Sequence, residues 1–193
     1  MFRRHLLITA LLASVGSTSA NAALVNVSTD GSWNQFDVTP DLALDGELGW
    51  IDIVDGSALS FQFSVITGFV AQLTVVDTGF SGDRFSVSVN GVAQSPTTVA
   101  VNSYPFAIGQ ADFDTALGNA DYSRGLYLLS AGTYTVTGTL LASVLDDTGS
   151  QLNATSGGLK VEVSPVPLPA TAWLMLSGLG ALGLRLRRRA SSL

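Results

Sequence analysis

The chain has 193 residues, 47% of them hydrophobic, with no cysteine and one histidine, His5. Without Cys there is no disulfide framework, thiol chemistry or Fe–S ligation; with the one His near the N-terminus, the rest of the chain lacks the residues for Ser-His-Asp or Cys-His catalysis and for the usual zinc sites. All fifteen acidic residues fall between Asp30 and Glu162, opposed there by Arg84, Arg124 and Lys160 alone, so a chain of net charge −6 contains a central segment at −12. Such a surface repels nucleic acid and anionic lipid.

Arg3 and Arg4 precede an apolar stretch, residues 6–15, and then small residues ending in Ala20-Asn21-Ala22. This order predicts a signal peptide over residues 1–22, cleaved after Ala22 or Ala23. The next segment, residues 23–164, has the size of one domain of about 140 residues. It is long enough to bury roughly two-thirds of its unfolded surface without a metal or disulfide.

Leu24 and Val27 open a first strand, and Asp30-Gly31-Ser32 turns the chain. From Trp33 to Trp50 the pattern is loose. Trp33, Phe36, Leu42, Leu44 and Trp50 are expected as core or half-buried anchors. Leu59, Phe61, Phe63 and Val65 alternate with polar residues, the period of a half-buried strand. Residues 69–76 form the next strand, with Leu73 and Val75 on one face. Phe85, Val87 and Val89 alternate again and lead into Asn90-Gly91, the dipeptide of a type I′ hairpin turn. Residues 92–101 are the expected returning strand, confined to an edge or bend by Pro96. Residues 102–124 read as loop, 125–129 as strand, and 133–144 as the longest strand. Leu159, Val161 and Val163 form the last. Roughly eight to ten short strands with turns at this spacing predict a mainly β fold, an antiparallel β-sandwich or jelly-roll-like ectodomain.

The end of the chain changes character. Val166-Pro167-Leu168-Pro169-Ala170 leads into an apolar run, residues 170–184, and then Arg185, Arg187, Arg188 and Arg189. As a helix the run spans roughly 22 Å, short of the ~30 Å hydrocarbon core, although Leu168 and Leu186 extend it and the arginines can snorkel. The arginines act as a membrane stop and hold the C-terminus in the cytoplasm. A plain single-span anchor leaves the Pro-x-Pro element and the short span unexplained.

This three-part order, with Trp173 early in the run and Gly178, Gly180 and Gly183 within it, resembles the PEP-CTERM protein-sorting domain. It is similar to the VPLPA variant, in which Leu168 stands where Pro-Glu-Pro has Glu. The likeness covers about residues 165–189. It implies an exported protein of a Gram-negative bacterium. Its partner is an exosortase that recognises Val166–Ala170 and removes the tail, in connection with exopolysaccharide and biofilm. Leu168-Pro169-Ala170-Thr171-Ala172 also approximates the sortase signal LPxTG, with Ala172 in place of Gly. The segments around Ser81-Gly82-Asp83-Arg84-Phe85 and Asp121-Tyr122-Ser123-Arg124-Gly125 resemble the β-rich ectodomains of other such proteins, which implies no activity.

Three features of the ectodomain carry candidate chemistry. Asp112, Asp114, Asn119 and Asp121 crowd one loop and could supply oxygen ligands to calcium; no other cofactor is expected. Asp41, Asp45, Glu47, Asp52 and Asp55 form a second acidic stretch that could house a carboxylate pair for glycoside hydrolysis. Trp33, Trp50, Tyr104, Tyr122 and Tyr127 could build a sugar-stacking platform. Arg84 and Arg124 are expected in ion pairs.

The resulting expectation is a noncatalytic surface or extracellular-matrix protein, anchored transiently in the inner membrane and then located on the cell surface or outside. The alternative is a carbohydrate-binding module that contacts extracellular polysaccharide, with or without calcium. A carboxylate-based hydrolase ranks behind both.

Overall fold

The computed structural model describes residues 22–43, 47–167 and, in the tail, 174, 175, 177 and 179. Residues 1–21 of the expected signal peptide lie outside these, as do Leu44, Asp45, Leu168, Pro169, Ala170 and Arg185, Arg187, Arg188 and Arg189.

Among the described residues nine strands form two facing sheets. They are β1 (Ala23–Asn26), β2 (Asn34–Val38), β3 (Leu59–Val65), β4 (Phe69–Thr78), β5 (Arg84–Val89), β6 (Val92–Ala93), β7 (Arg124–Leu129), β8 (Gly132–Ala142) and β9 (Thr155–Pro165). One sheet has the order β1-β3-β8-β5-β6 and the other β2-β9-β4-β7. The β-sandwich expected from the alternation is therefore present. One pairing departs from the antiparallel expectation: β1 runs parallel to β3, Ala23 opposite Leu59. The chain crosses to the other sheet as β2 between them, so β3 returns in the direction of β1.

The core lies between the sheets. Phe61, Phe63, Phe85, Val87 and Val136 from one sheet meet Phe36, Leu73, Val75, Leu159 and Val161 from the other. Trp50 plugs the middle: its ring stacks on Phe36 with centroids 4.0 Å apart and meets Phe85 and Phe61 edge-on. Gly138 on β8 leaves the room, because a Cβ there would overlap the indole ring.

A second cluster sits on the outer face of β4. A short helix, α1 (Phe113–Gly118), lays Phe113 and Ala116 against Val76 and Tyr122. This explains why β4, read as wetted on one face, is buried on both at its far end: Thr74, Val76, Asp77 and Thr78 all have no exposed surface.

Other expectations need correction. The returning strand stops at Ala93. The chain then crosses the open side of the sandwich, and Thr97 and Thr98 lace the two sheets: the Thr97 N–H donates to Phe85 O at 3.0 Å and the Thr98 N–H to Arg124 O at 2.9 Å. Leu42 is exposed. Among the described residues Arg84 and Arg124 form no ion pair; Arg84 Nε donates to Thr97 O and Arg124 Nη1 to Leu117 O, each at 2.7 Å. Asn90 and Gly91 have φ of 51° and 76°, the paired positive values of a type I′ turn.

Candidate functional site

Two places in the fold are positioned to act: the point where the domain hands over to the tail, and a cleft at the opposite end. β9 is central in its sheet and hydrogen-bonded on both sides, to β2 and β4. Its last rung sets Pro165 opposite Phe69, and one residue further the Val166 N–H still donates to Gly68 O at 2.9 Å. The first residue of the Val-Pro-Leu-Pro-Ala element is thus held by the β3–β4 turn, with no spacer between fold and tail. Leu174, Met175, Ser177 and Leu179 are helical, and the three apolar ones are 58–70% exposed.

Residues 165–189 match the model of the PEP-CTERM protein-sorting motif. This sorting motif implies an exported protein directed to an exosortase, and it begins at the last residue of β9. A comparison with curated proteins finds no match for the chain. Among solved structures, the pre-peptidase C-terminal domain of a collagenase from Bacillus anthracis is similar, at 7% identity and a TM-score of 0.37, over 76% of this chain and 99% of that one. Among the described residues no helix is long and apolar enough to cross a membrane; most of the expected apolar helix, residues 170–184, lies outside them.

At the other end, an open cleft of about 350 Å³ is formed by the end of β2, the end of β4, the start of β9 and the segment 107–110. Gln35, Asp37, Thr39, Gln110 and Ser156 offer polar groups to it, and Ile53, Phe80 and Ile108 apolar surface. Asp37 is positioned on two sides: the Ser156 hydroxyl and the Gln35 amide both donate to its carboxylate. A shallower extension brings Asp52 alongside Asp37. Sequence reading missed this cleft because its walls come from five separated segments, Ile53 forming the fifth.

Behind the cleft lies a buried acid pair, Asp77 at the end of β4 and Asp83 before β5. Asp83 Oδ1 accepts the Val144 N–H at 3.0 Å, and Asp77 Oδ1 accepts the Thr155 hydroxyl at 3.3 Å. The second oxygen of each has no partner among the described residues. Burial, and next the nearby charge of Asp83, holds the Asp77 carboxyl well above the usual range; burial also raises Asp83.

Three of the four expected calcium ligands have side chains engaged in hydrogen bonds within the protein. The carboxylate of Asp112 accepts the Gly109 N–H, Asp114 accepts the Trp33 indole N–H at 3.0 Å, and Asn119 Oδ1 accepts the Asp121 N–H. Among the described residues no group of three or more metal-type side chains gathers that could hold an ion. The five expected aromatic residues do not share a surface either. Trp50, Tyr122 and Tyr127 are buried, Trp33 stands between Phe113 and the Lys160 ammonium, and Tyr104 packs on Phe80.

Proposed function

We propose that the protein is a noncatalytic surface or matrix protein that an exosortase receives through its tail. The tail is inserted in the inner membrane, cut within Val166–Ala170, and the sandwich continues to the cell surface or beyond. The observation that carries this reading is the sorting motif at 165–189, continuous with β9. The exposed Leu174, Met175 and Leu179 support it, since exposed apolar residues grouped in this way are normally covered by protein or lipid. The start of β1 at Ala23, whose N–H donates to Ala58 O at 2.6 Å, supports signal cleavage after Ala22 rather than within the strand. The acidic, Cys-free domain suits an exported surface with no role in nucleic-acid binding. Deleting residues 166–193 should release the protein into the periplasm or medium; unchanged membrane or surface association contradicts the reading.

The cleft favours a second reading, carbohydrate binding. It combines amide, hydroxyl and carboxylate groups with a modest apolar wall, the mixture that neutral sugars need. A glycan array with wild type and Gln35→Ala tests it. Binding lost in the variant supports the cleft, and no binding by wild type, with or without calcium, removes it.

A further inference from the structure

We propose that the less acidic end of the sandwich, where β9 leaves, rests against the surface of the bilayer that holds its own tail, with the acidic loops of the other end pointing away. This rests on the reading of the tail as membrane-inserted.

The first support is reach. β9 remains in its sheet through Pro165, and Val166 is still tied to Gly68. From Pro165 to the start of the apolar run at Ala170 the chain can span at most about 17 Å even when fully extended. The headgroup layer itself occupies about 5–7 Å of that distance. Pro167 and Pro169 stiffen the segment but cannot lengthen it. A domain joined by so short a strap, through a central strand of its sheet, has little freedom to tumble.

The second support is charge. The strand registers bring three turns to the end where β9 leaves: residues 66–68 between β3 and β4, 90–91 after β5, and 130–131 between β7 and β8; the β1–β2 connection adjoins them, tied to β9 at Val161 and Val163 with Asp30 opposite Glu162. The three turns contain no charged residue, and the adjoining connection contains one, Asp30. Ile66 and Val92 project there, 67% and 64% exposed. The connections at the other end hold Asp52, Asp55, Asp112, Asp146 and Asp147. β4, ten residues long, separates the two ends by roughly 30 Å. That is several times the ~8 Å screening length at physiological salt, so the acidic end feels little of an anionic headgroup layer. Turned over, the domain would press its acids into that layer. Among the described residues the fold therefore offers lipid its less acidic, partly apolar end, at the point where the tail departs.

Because the chain has no cysteine, single labels can be placed freely. The test uses the full-length chain reconstituted into vesicles of phosphatidylethanolamine and phosphatidylglycerol, with a fluorophore on Ile66→Cys, Ala131→Cys, Asp55→Cys, Asp147→Cys or Ser177→Cys. Headgroup-attached quenchers should remove most of the emission at 66 and 131 and little at 55 and 147. Acyl-chain quenchers should remove it at 177. A flexible ten-residue insertion between Pro165 and Val166 should restore emission at 66 and 131 and leave 177 quenched. If 177 is quenched while 66 and 131 behave as 55 and 147 do, the tail is inserted and the apposition is wrong. If 177 is not quenched by lipid, the membrane reading of the tail falls and the apposition falls with it.

Discussion

Replacing Asp77 by Asn should stabilise the domain at neutral pH and flatten its dependence on pH. Asp77 has no exposed surface, and one of its carboxylate oxygens, like one of Asp83, has no hydrogen-bond partner. Its folded-state pKa is raised well above 3.8, first by burial and then by the charge of Asp83. Between the unfolded value and the raised one, the folded protein keeps a proton that the unfolded chain has released. The contribution of this group is therefore fully present below about pH 4 and declines as pH rises, by up to about 1.4 kcal/mol per pH unit for each proton. Asn carries no charge, keeps an acceptor for the Thr155 hydroxyl, and adds a donor near Asp83. Relieving one buried unpaired acceptor is worth about 1–3 kcal/mol, and in a domain of this size each kcal/mol moves Tm by roughly 3–5 °C. Urea melts of wild type and Asp77→Asn, from pH 4 to 8, supply the assay. The variant should be the more stable at pH 7, with the two curves converging towards pH 4. A variant less stable at pH 7, or one with the wild-type slope, would show that the carboxylate is ionised and well satisfied in the fold. Asp30, Asp55 and Asp146 act in a different window. Hydrogen bonds, first from the side chains of Ser32, Ser57 and Thr148 respectively, lower their pKa values. Their contribution is present above about 3.8 and lost as pH falls through the lowered values.

Gly138→Ala should destabilise the domain by about 1–3 kcal/mol, the usual cost of forcing extra volume into a packed core. The new methyl would overlap the Trp50 ring, which is stacked on Phe36 and cannot retreat; the near-UV circular dichroism of Trp50 should change with the melting temperature. Thr97→Val should cost about 1–3 kcal/mol by stripping a buried N–H of its acceptor. The Thr97 hydroxyl accepts from Phe85 N at 2.9 Å and donates to Ser123 Oγ at 3.1 Å, and a melt within error of wild type would refute the lacing role of residues 97–98. Burial pushes the Tyr127 hydroxyl up to about 12. Phenolate absorbance should therefore show a late phase near that pH in the folded protein, absent from Tyr127→Phe.

Local features were legible in the sequence. The alternation of Leu59, Phe61, Phe63 and Val65, and of Phe85, Val87 and Val89, marks strands with one wet face, and both are strands. Asn90-Gly91 specified its turn because its positive φ values need no tertiary help. The sorting motif is a linear order of residue types and was visible for the same reason. Features set by distant partners were not. Helix α1 is six residues long, too short for a helical period, and Phe113 is buried by meeting Val76 and Tyr122. Asp77 and Asp83 read as turn residues because nothing nearby in sequence shows that Val144 and Thr155 will cover them. Arg84 and Arg124 found carbonyls before carboxylates. The cleft needs five segments to exist at all.

If the tail is a temporary anchor, cut where β9 ends, the intact mass of the protein recovered from the cell surface or medium will reveal it. The expected species is a chain that begins at Ala23 and ends within Val166–Ala170, carrying whatever group the transfer attaches. A surface form whose mass retains Arg185–Arg189 and the residues after them would contradict cleavage and, with it, the temporary anchor.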